Sequence, residues 1–137
     1  LPLSAANDLA YHALIMGPIA APNHFDHIPT SATKINTKIT GVTNIKHLRA
    51  SHIKPWSLSN NDEKLDGNNG LLLSPHVDHL FDRGFISFSP RGKLLVSNEL
   101  NKSILEKWSI NPAHDVGTFT SKQNEYLEFH LDAIFQG

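Results

Sequence analysis

The chain has 137 residues, enough to bury the core of one domain without covalent cross-links. It contains no cysteine, which excludes disulfides and thiolate metal sites and leaves oxygen and imidazole ligands for any metal. No apolar run approaches the roughly 18 residues that span a bilayer, so we expect no membrane span. The first residues do not show a basic region followed by an apolar stretch, so we expect no secretion signal. Because the chain starts at Leu1 and not at methionine, we expect a segment of a longer protein.

The formal net charge of −1 gives no bulk preference for nucleic acid, but the basic residues are unevenly placed. Residues 27–61 contain no Asp or Glu. Such a stretch either forms a basic face that neutralises phosphate or is an ordinary solvated surface, and charge alone does not separate the two. The cations in it are Lys34, Lys38, Lys46, Arg49 and Lys54.

The first half of the chain predicts few regular elements. A cap at Ser4 and a partial apolar stripe predict a helix over residues 4–16, and two prolines with little periodicity predict a loop over residues 19–33. Alternating apolar residues predict a strand at 34–40 and an extended segment at 48–53. Residues 57–69 are rich in Ser, Asn, Asp and Gly and predict a loop, whose unusual length is typical of a functional segment.

A well-delimited helix is predicted next. Ser74 stands at the N-cap position, Pro75 at the first helical position, and Gly84 where a left-handed residue ends a helix. Apolar residues at three- and four-residue spacing predict its buried stripe, which consists of Val77, Leu80 and Phe81.

The remaining chain predicts a hairpin and two helices. Residues 85–89 and 93–97 flank a turn that contains Gly92, as in a β-hairpin. Helices are predicted over residues 98–108 and 121–135, and Thr120 and Gln123 have the spacing of a capping box for the second one. This mixture of short strands and helices predicts an α+β fold.

Two acids on the predicted helix are candidate metal ligands. Asp78 and Asp82 are four residues apart, which places both carboxylates on one helical face. Two hard oxygen ligands suit Mg²⁺ or Mn²⁺ better than zinc. Taken alone, however, such a pair is common and is more typical of solvent-facing helix charges.

Three segments together resemble the HNH endonuclease family, in particular its cysteine-free, restriction-type branch. They are TG at residues 40–41, ASHIKPW at 50–56 and NGLLLSPHVDHLFDRG at 69–84. The resemblance extends over residues 34–97. It implies a ββα-metal core, with an additional β-hairpin and flanking helices. Residues 1–33 would then be an N-terminal helix and linker, residues 34–97 the nuclease core, and residues 98–137 a helical extension of the same domain.

The resemblance also implies a role for each motif residue. His52 would be the general base that takes a proton from the attacking water, and Asn69 would tie the following loop to the strand and so hold His52 in position. Asp78 and Asp82 would bind one divalent metal ion, Mg²⁺ or Mn²⁺. The residues expected to contact DNA phosphates are Arg83, Lys54, His76 and His79. For His76 and His79, a partly exposed helix histidine without a role is the alternative.

The function implied is metal-dependent hydrolysis of DNA, in a cytoplasmic, restriction-type enzyme without membrane attachment. A homodimer would suit it, because one such site cuts one strand and a duplex has two. Two alternatives stay open: a DNA-binding module that has lost catalysis, and a toxin nuclease domain. The chain departs from the family at Ser51, where relatives often carry an additional acidic or histidine ligand. Metal affinity and metal identity depend on that position.

Overall fold

The computed structural model describes residues 38–42, 44–112 and 115–137. The predicted helix at 4–16, the loop at 19–33 and the N-terminal unit 1–33 lie outside the described residues. Within them, two antiparallel hairpins and four α-helices confirm the predicted α+β fold. No helix of these segments is long and apolar enough to cross a membrane.

The first hairpin pairs β1 (Arg49–His52) with β2 (Gly70–Leu73). Ala50 lies opposite Leu72, and His52 lies opposite Gly70. All four residues of β2 are buried, whereas Arg49 at the start of β1 is exposed. The extended segment predicted at residues 48–53 is therefore confirmed.

The loop prediction for residues 57–69 is wrong, because the connection between β1 and β2 contains helix α1 (Asn61–Leu65). A reciprocal capping box starts this helix, in which Asn60 Oδ1 accepts from the Glu63 N–H at 2.8 Å and Glu63 Oε1 accepts from the Asn60 N–H at 2.9 Å. Short 3₁₀ turns at Trp56–Leu58 and Gly67–Asn69 flank it. No residue of α1 is buried, so hydrophobic periodicity carries no signal for it.

Helix α2 (Pro75–Asp82) follows β2 directly and completes a ββα unit. Pro75 occupies its first turn as predicted, and Gly84 adopts a φ of +77° where a Cβ would collide with the Ile134 carbonyl. The predicted cap is wrong, because the Ser74 side chain makes no capping hydrogen bond and its hydroxyl lies 3.4 Å from that of Thr40. The predicted stripe of Val77, Leu80 and Phe81 is buried in the core, as expected.

The strand predicted at residues 34–40 is also wrong where it can be compared, because residues 38–40 are helical. Ile35 and Ile39 are four residues apart, a spacing that suits one face of a helix as well as alternation suits a strand. Ile39 is buried in the main core.

The rest of the chain adds a second hairpin and two helices. β3 (Ile86–Phe88) pairs with β4 (Leu94–Val96), which confirms the predicted hairpin. Helix α3 (Ser103–Lys107) is shorter than predicted. Helix α4 (Ser121–Ala133) begins at the predicted capping box, in which Thr120 Oγ1 accepts from the Gln123 N–H at 3.1 Å.

A buried histidine anchors α4 to α2 and β3. The His130 ring stacks on Phe81 with the ring centroids 3.9 Å apart and the planes at 2°. Its Nε2 lies 2.8 Å from the Phe81 carbonyl, and its Nδ1 lies 2.8 Å from the Ser87 hydroxyl. Because a carbonyl only accepts, Nε2 carries the proton and Nδ1 accepts from Ser87. Burial lowers the pKa of His130 to about 4, so the ring stays neutral in the folded protein.

This shift predicts a loss of stability in acid. The pKa of His130 is about 4 when folded and about 6.5 when unfolded, so the unfolded chain binds the proton first. The stabilisation is complete above about pH 6.5 and declines as the pH falls towards 4, by about 3 kcal/mol in all. Urea denaturation at pH 7.5 and 4.5 measures it. His130→Phe, which cannot titrate, should show a smaller pH dependence, and equal pH dependence in the two proteins would contradict the assignment.

Candidate active site

His52 ends β1 and is 5% exposed. Its Nε2 lies 2.9 Å from the Lys64 carbonyl of α1. Since the carbonyl only accepts, Nε2 carries the proton and Nδ1 presents a lone pair. That Nδ1 is buried and has no hydrogen-bond partner in the part of the chain that the structure describes. The site therefore holds a neutral imidazole with one basic nitrogen uncommitted.

Burial is the main influence on the pKa of His52 and lowers it. The hydrogen bond to the Lys64 carbonyl acts in the opposite direction, and the Lys64 charge lowers the pKa further. The net effect keeps the imidazole unprotonated at neutral pH, the state in which it can accept a proton.

Asn69 is completely buried and joins the two ends of the segment between β1 and β2. Its Oδ1 accepts from the Lys54 N–H at 2.8 Å, and its Nδ2 donates to the Glu63 carbonyl at 3.0 Å. Its own carbonyl accepts from the Ile53 N–H at 3.0 Å. Asn69 thus fixes the end of β1 relative to α1, whose Lys64 carbonyl orients His52.

Asp78 and Asp82 lie one turn apart on α2, and Asp78 is 3% exposed. Burial raises the pKa of Asp78 to about 6, with a further rise from the charge of Asp82. The nearby Ser51 hydroxyl and the positive charge of Arg49 oppose this rise. Ser51 directly precedes His52, so the strand that carries the imidazole lies against the acidic face of α2.

Burial also raises the pKa of Asp82, while the nearby charges of Arg83 and His79 lower it. The two carboxylates therefore repel each other at a site that is partly shielded from solvent. A bound divalent cation would relieve this repulsion. Over residues 38–42, 44–112 and 115–137, no three His, Asp or Glu side chains form a group that could hold a metal ion. The acid pair fits a cation such as Mg²⁺ whose other ligands come from water or phosphate.

Three of the predicted phosphate contacts differ in whether their side chains lie near Asp82. Arg83 and His79 are exposed and lie close enough to Asp82 for their charges to act on it. Lys54 instead forms an ion pair with Glu63, with Nζ 2.9 Å and 3.1 Å from the two carboxylate oxygens. Its side chain is thus committed to α1.

His76 and His79 share a neighbour that the motif does not include. The Trp108 ring meets both imidazoles edge-on, with centroid distances of 5.9 Å to His76 and 6.3 Å to His79. The two histidines thus stand beside an exposed indole at the surface of α2.

Sequence reasoning missed three contacts around the site. The charge of Arg49 and the hydroxyl of Ser51 act on Asp78, and the Lys64 carbonyl binds His52. Strand alternation around His52 could have suggested that its neighbours face α2. A backbone carbonyl leaves no signal in residue type, so the Lys64 contact could be found only from the structure.

A family model described as HNH endonuclease matches residues 35–89. The matched segment contains the whole ββα unit and β3, with His52, Asn69, Asp78 and Asp82. No curated protein matches the chain. Helices α3 and α4 lie beyond the matched residues. Over residues 35–89, the chain is similar to the HNH endonuclease family.

Proposed function

We propose that the protein hydrolyses DNA phosphodiester bonds, with His52 as the general base and a divalent cation bound by Asp78 and Asp82. The observation that carries this proposal is the His52 ring itself. Its Nε2 is held by the Lys64 carbonyl, and its buried Nδ1 has no partner among the described residues. Ser51, the preceding residue of β1, acts on Asp78 of the acid pair.

His52 is suited to take a proton from an attacking water at Nδ1. Its lowered pKa keeps the ring neutral near pH 7, and only the neutral ring can act as a base. As the ring becomes an imidazolium, the hydrogen bond from Nε2 to the Lys64 carbonyl strengthens and stabilises the charge. A base of this kind contributes about 10² to 10⁴ in rate.

Asp78 and Asp82 are the residues that would hold the cation, with Mg²⁺ or Mn²⁺ favoured by their oxygen ligands. Once bound, the cation supplies positive charge for the phosphate and for the leaving oxygen. The charges of Arg83 and His79 act on Asp82, which supports these two residues as contacts for the phosphate. Lys54 could join them only by leaving Glu63.

A module that has lost catalysis is the second candidate function. Ser51 stands where relatives often carry another ligand, and the described residues contain no group of three metal-binding side chains. A restriction-type role remains part of the proposal for the active enzyme. Measurements of DNA cleavage and of metal binding distinguish an active nuclease from a module that has lost catalysis.

Removing the proposed base should abolish turnover. We expect His52→Ala to cut plasmid DNA at least about 100-fold more slowly than the parent in Mg²⁺ or Mn²⁺, because no other group replaces the imidazole. The measurement is nicking and linearisation on a gel, with circular dichroism to check the fold. His47→Ala is the control, since His47 is exposed in the turn before β1. Cleavage at the parent rate by His52→Ala would overturn the mechanism.

Metal binding should depend on the acid pair. We expect calorimetry with MnCl₂ to show one ion bound to the parent and to His52→Ala, and none bound to the Asp78→Asn, Asp82→Asn double variant. Asp78→Asn alone should not lower the apo Tm at pH 7, because burial and Asp82 raise the pKa of Asp78 and so disfavour its ionised form in the fold.

The control for metal binding is Asp62→Asn, which removes an exposed acid from α1. Unchanged Mn²⁺ affinity in the double variant would show that the ion binds elsewhere.

Asn69 should be essential for stability as well as for activity. Asn69→Ala leaves the Lys54 N–H and the Glu63 carbonyl without their buried partner, so we expect unfolding to become easier by about 2 kcal/mol. Urea denaturation measures this change. Asn61→Ala, at an exposed position eight residues earlier, should change stability little, and equal losses in the two variants would refute the role of Asn69.

A further inference from the structure

The segment that orients His52 is itself held by α4, a helix beyond the residues that the family model matches. The Tyr126 hydroxyl donates to Asp66 Oδ2 at 2.7 Å. The Thr120 hydroxyl donates to Asn68 Oδ1 at 3.1 Å. Both acceptors lie between the end of α1 and the start of β2, so the contacts fix the connection that carries Lys64.

Asp66 passes this restraint to the rest of the connection. Its Oδ1 accepts from the Asn68 N–H and its carbonyl accepts from the Asn69 N–H, both at 2.9 Å. Asn69 in turn binds the Glu63 carbonyl at 3.0 Å. The next carbonyl along the chain, that of Lys64, receives the His52 ring. An unbroken path of hydrogen bonds and peptide units therefore joins α4 to the imidazole.

Tyr126 is well suited to be the fixed end of this path. Its side chain is buried, and burial together with the Asp66 carboxylate raises its pKa, so the hydroxyl stays protonated and always donates. A hydrogen bond to a carboxylate is stronger than one between neutral groups. One turn further along α4, the contacts of His130 with Ser87 and Phe81 also hold the helix.

We propose that Tyr126 is a positioning residue for His52: by holding Asp66, it fixes the connection whose Lys64 carbonyl orients the imidazole. This inference rests on the proposed function of His52 as the base. It also makes α4 part of the working site, although α4 lies outside the matched segment. Helix α4 thus belongs with the ββα unit in one functional unit.

The test is Tyr126→Phe, which removes one hydroxyl and keeps the ring. We expect kcat for DNA cleavage to fall about ten-fold with KM unchanged, because a displaced base affects the chemical step and not DNA binding. Ser87→Ala is the matched control. It also removes one hydroxyl that holds α4, but that hydroxyl bonds to His130 and has no part in the contact with Asp66, so the change should lower stability while kcat stays at the parent value.

A spectroscopic measurement makes the test independent of turnover. In the parent, the Nε2–H of His52 should give a solvent-protected NMR resonance, assigned by its loss in His52→Ala. We expect that protection to fall in Tyr126→Phe and to persist in Ser87→Ala. If the parent cuts no DNA, the proposed function fails, and the NMR comparison alone still decides whether Tyr126 positions the ring.

Asp66→Asn provides a second variant on the same contact, should Tyr126→Phe fold poorly. Because both changes act through one hydrogen bond, kcat of the double variant should fall by less than the product of the two single effects. Multiplicative effects would overturn the proposal. So would parent values of kcat and of His52 Nε2–H protection in Tyr126→Phe.

Discussion

The hydrogen bond between His52 Nε2 and the Lys64 carbonyl sets the chemistry of the site, because it determines which ring nitrogen carries the proton. That bond requires α1 to stand at a fixed distance from the end of β1. Asn69 secures this distance from within the connection, and Tyr126 secures it from α4 through Asp66. These hydrogen bonds within the segment that connects β1 to β2 thus support the position of one imidazole.

Burial has a different consequence for the acid pair on α2 than for the imidazole. Burial keeps the His52 ring neutral at no electrostatic cost, but it makes two ionised carboxylates unfavourable. The Arg49 charge and the nearby Ser51 hydroxyl offset only part of that cost for Asp78. The fold therefore contains both an imidazole that burial keeps neutral and a pair of acids for which burial disfavours the ionised form.

The sequence predicted those parts of the fold that depend on local patterns. Pro75 and Gly84 delimit α2, and the buried stripe of α2 follows from apolar spacing. Helix α1 was missed because it buries no side chain, and the residues around Ile39 were misassigned because their spacing suits two structures. The motif named the side chains of the site, but the contact between Asp66 and Tyr126 joins positions 60 residues apart, which no local pattern can show.

The group that orients the imidazole belongs to the main chain, and this has a consequence for how the protein can change over time. Every amino acid at position 64 supplies the same carbonyl, so mutation there cannot delete the acceptor. The Lys64 side chain lies over the Trp56 ring, with its Nζ 3.9 Å from the centroid, and can be exchanged separately. Evolution can therefore vary the surface above the site while the ring beneath keeps its tautomer.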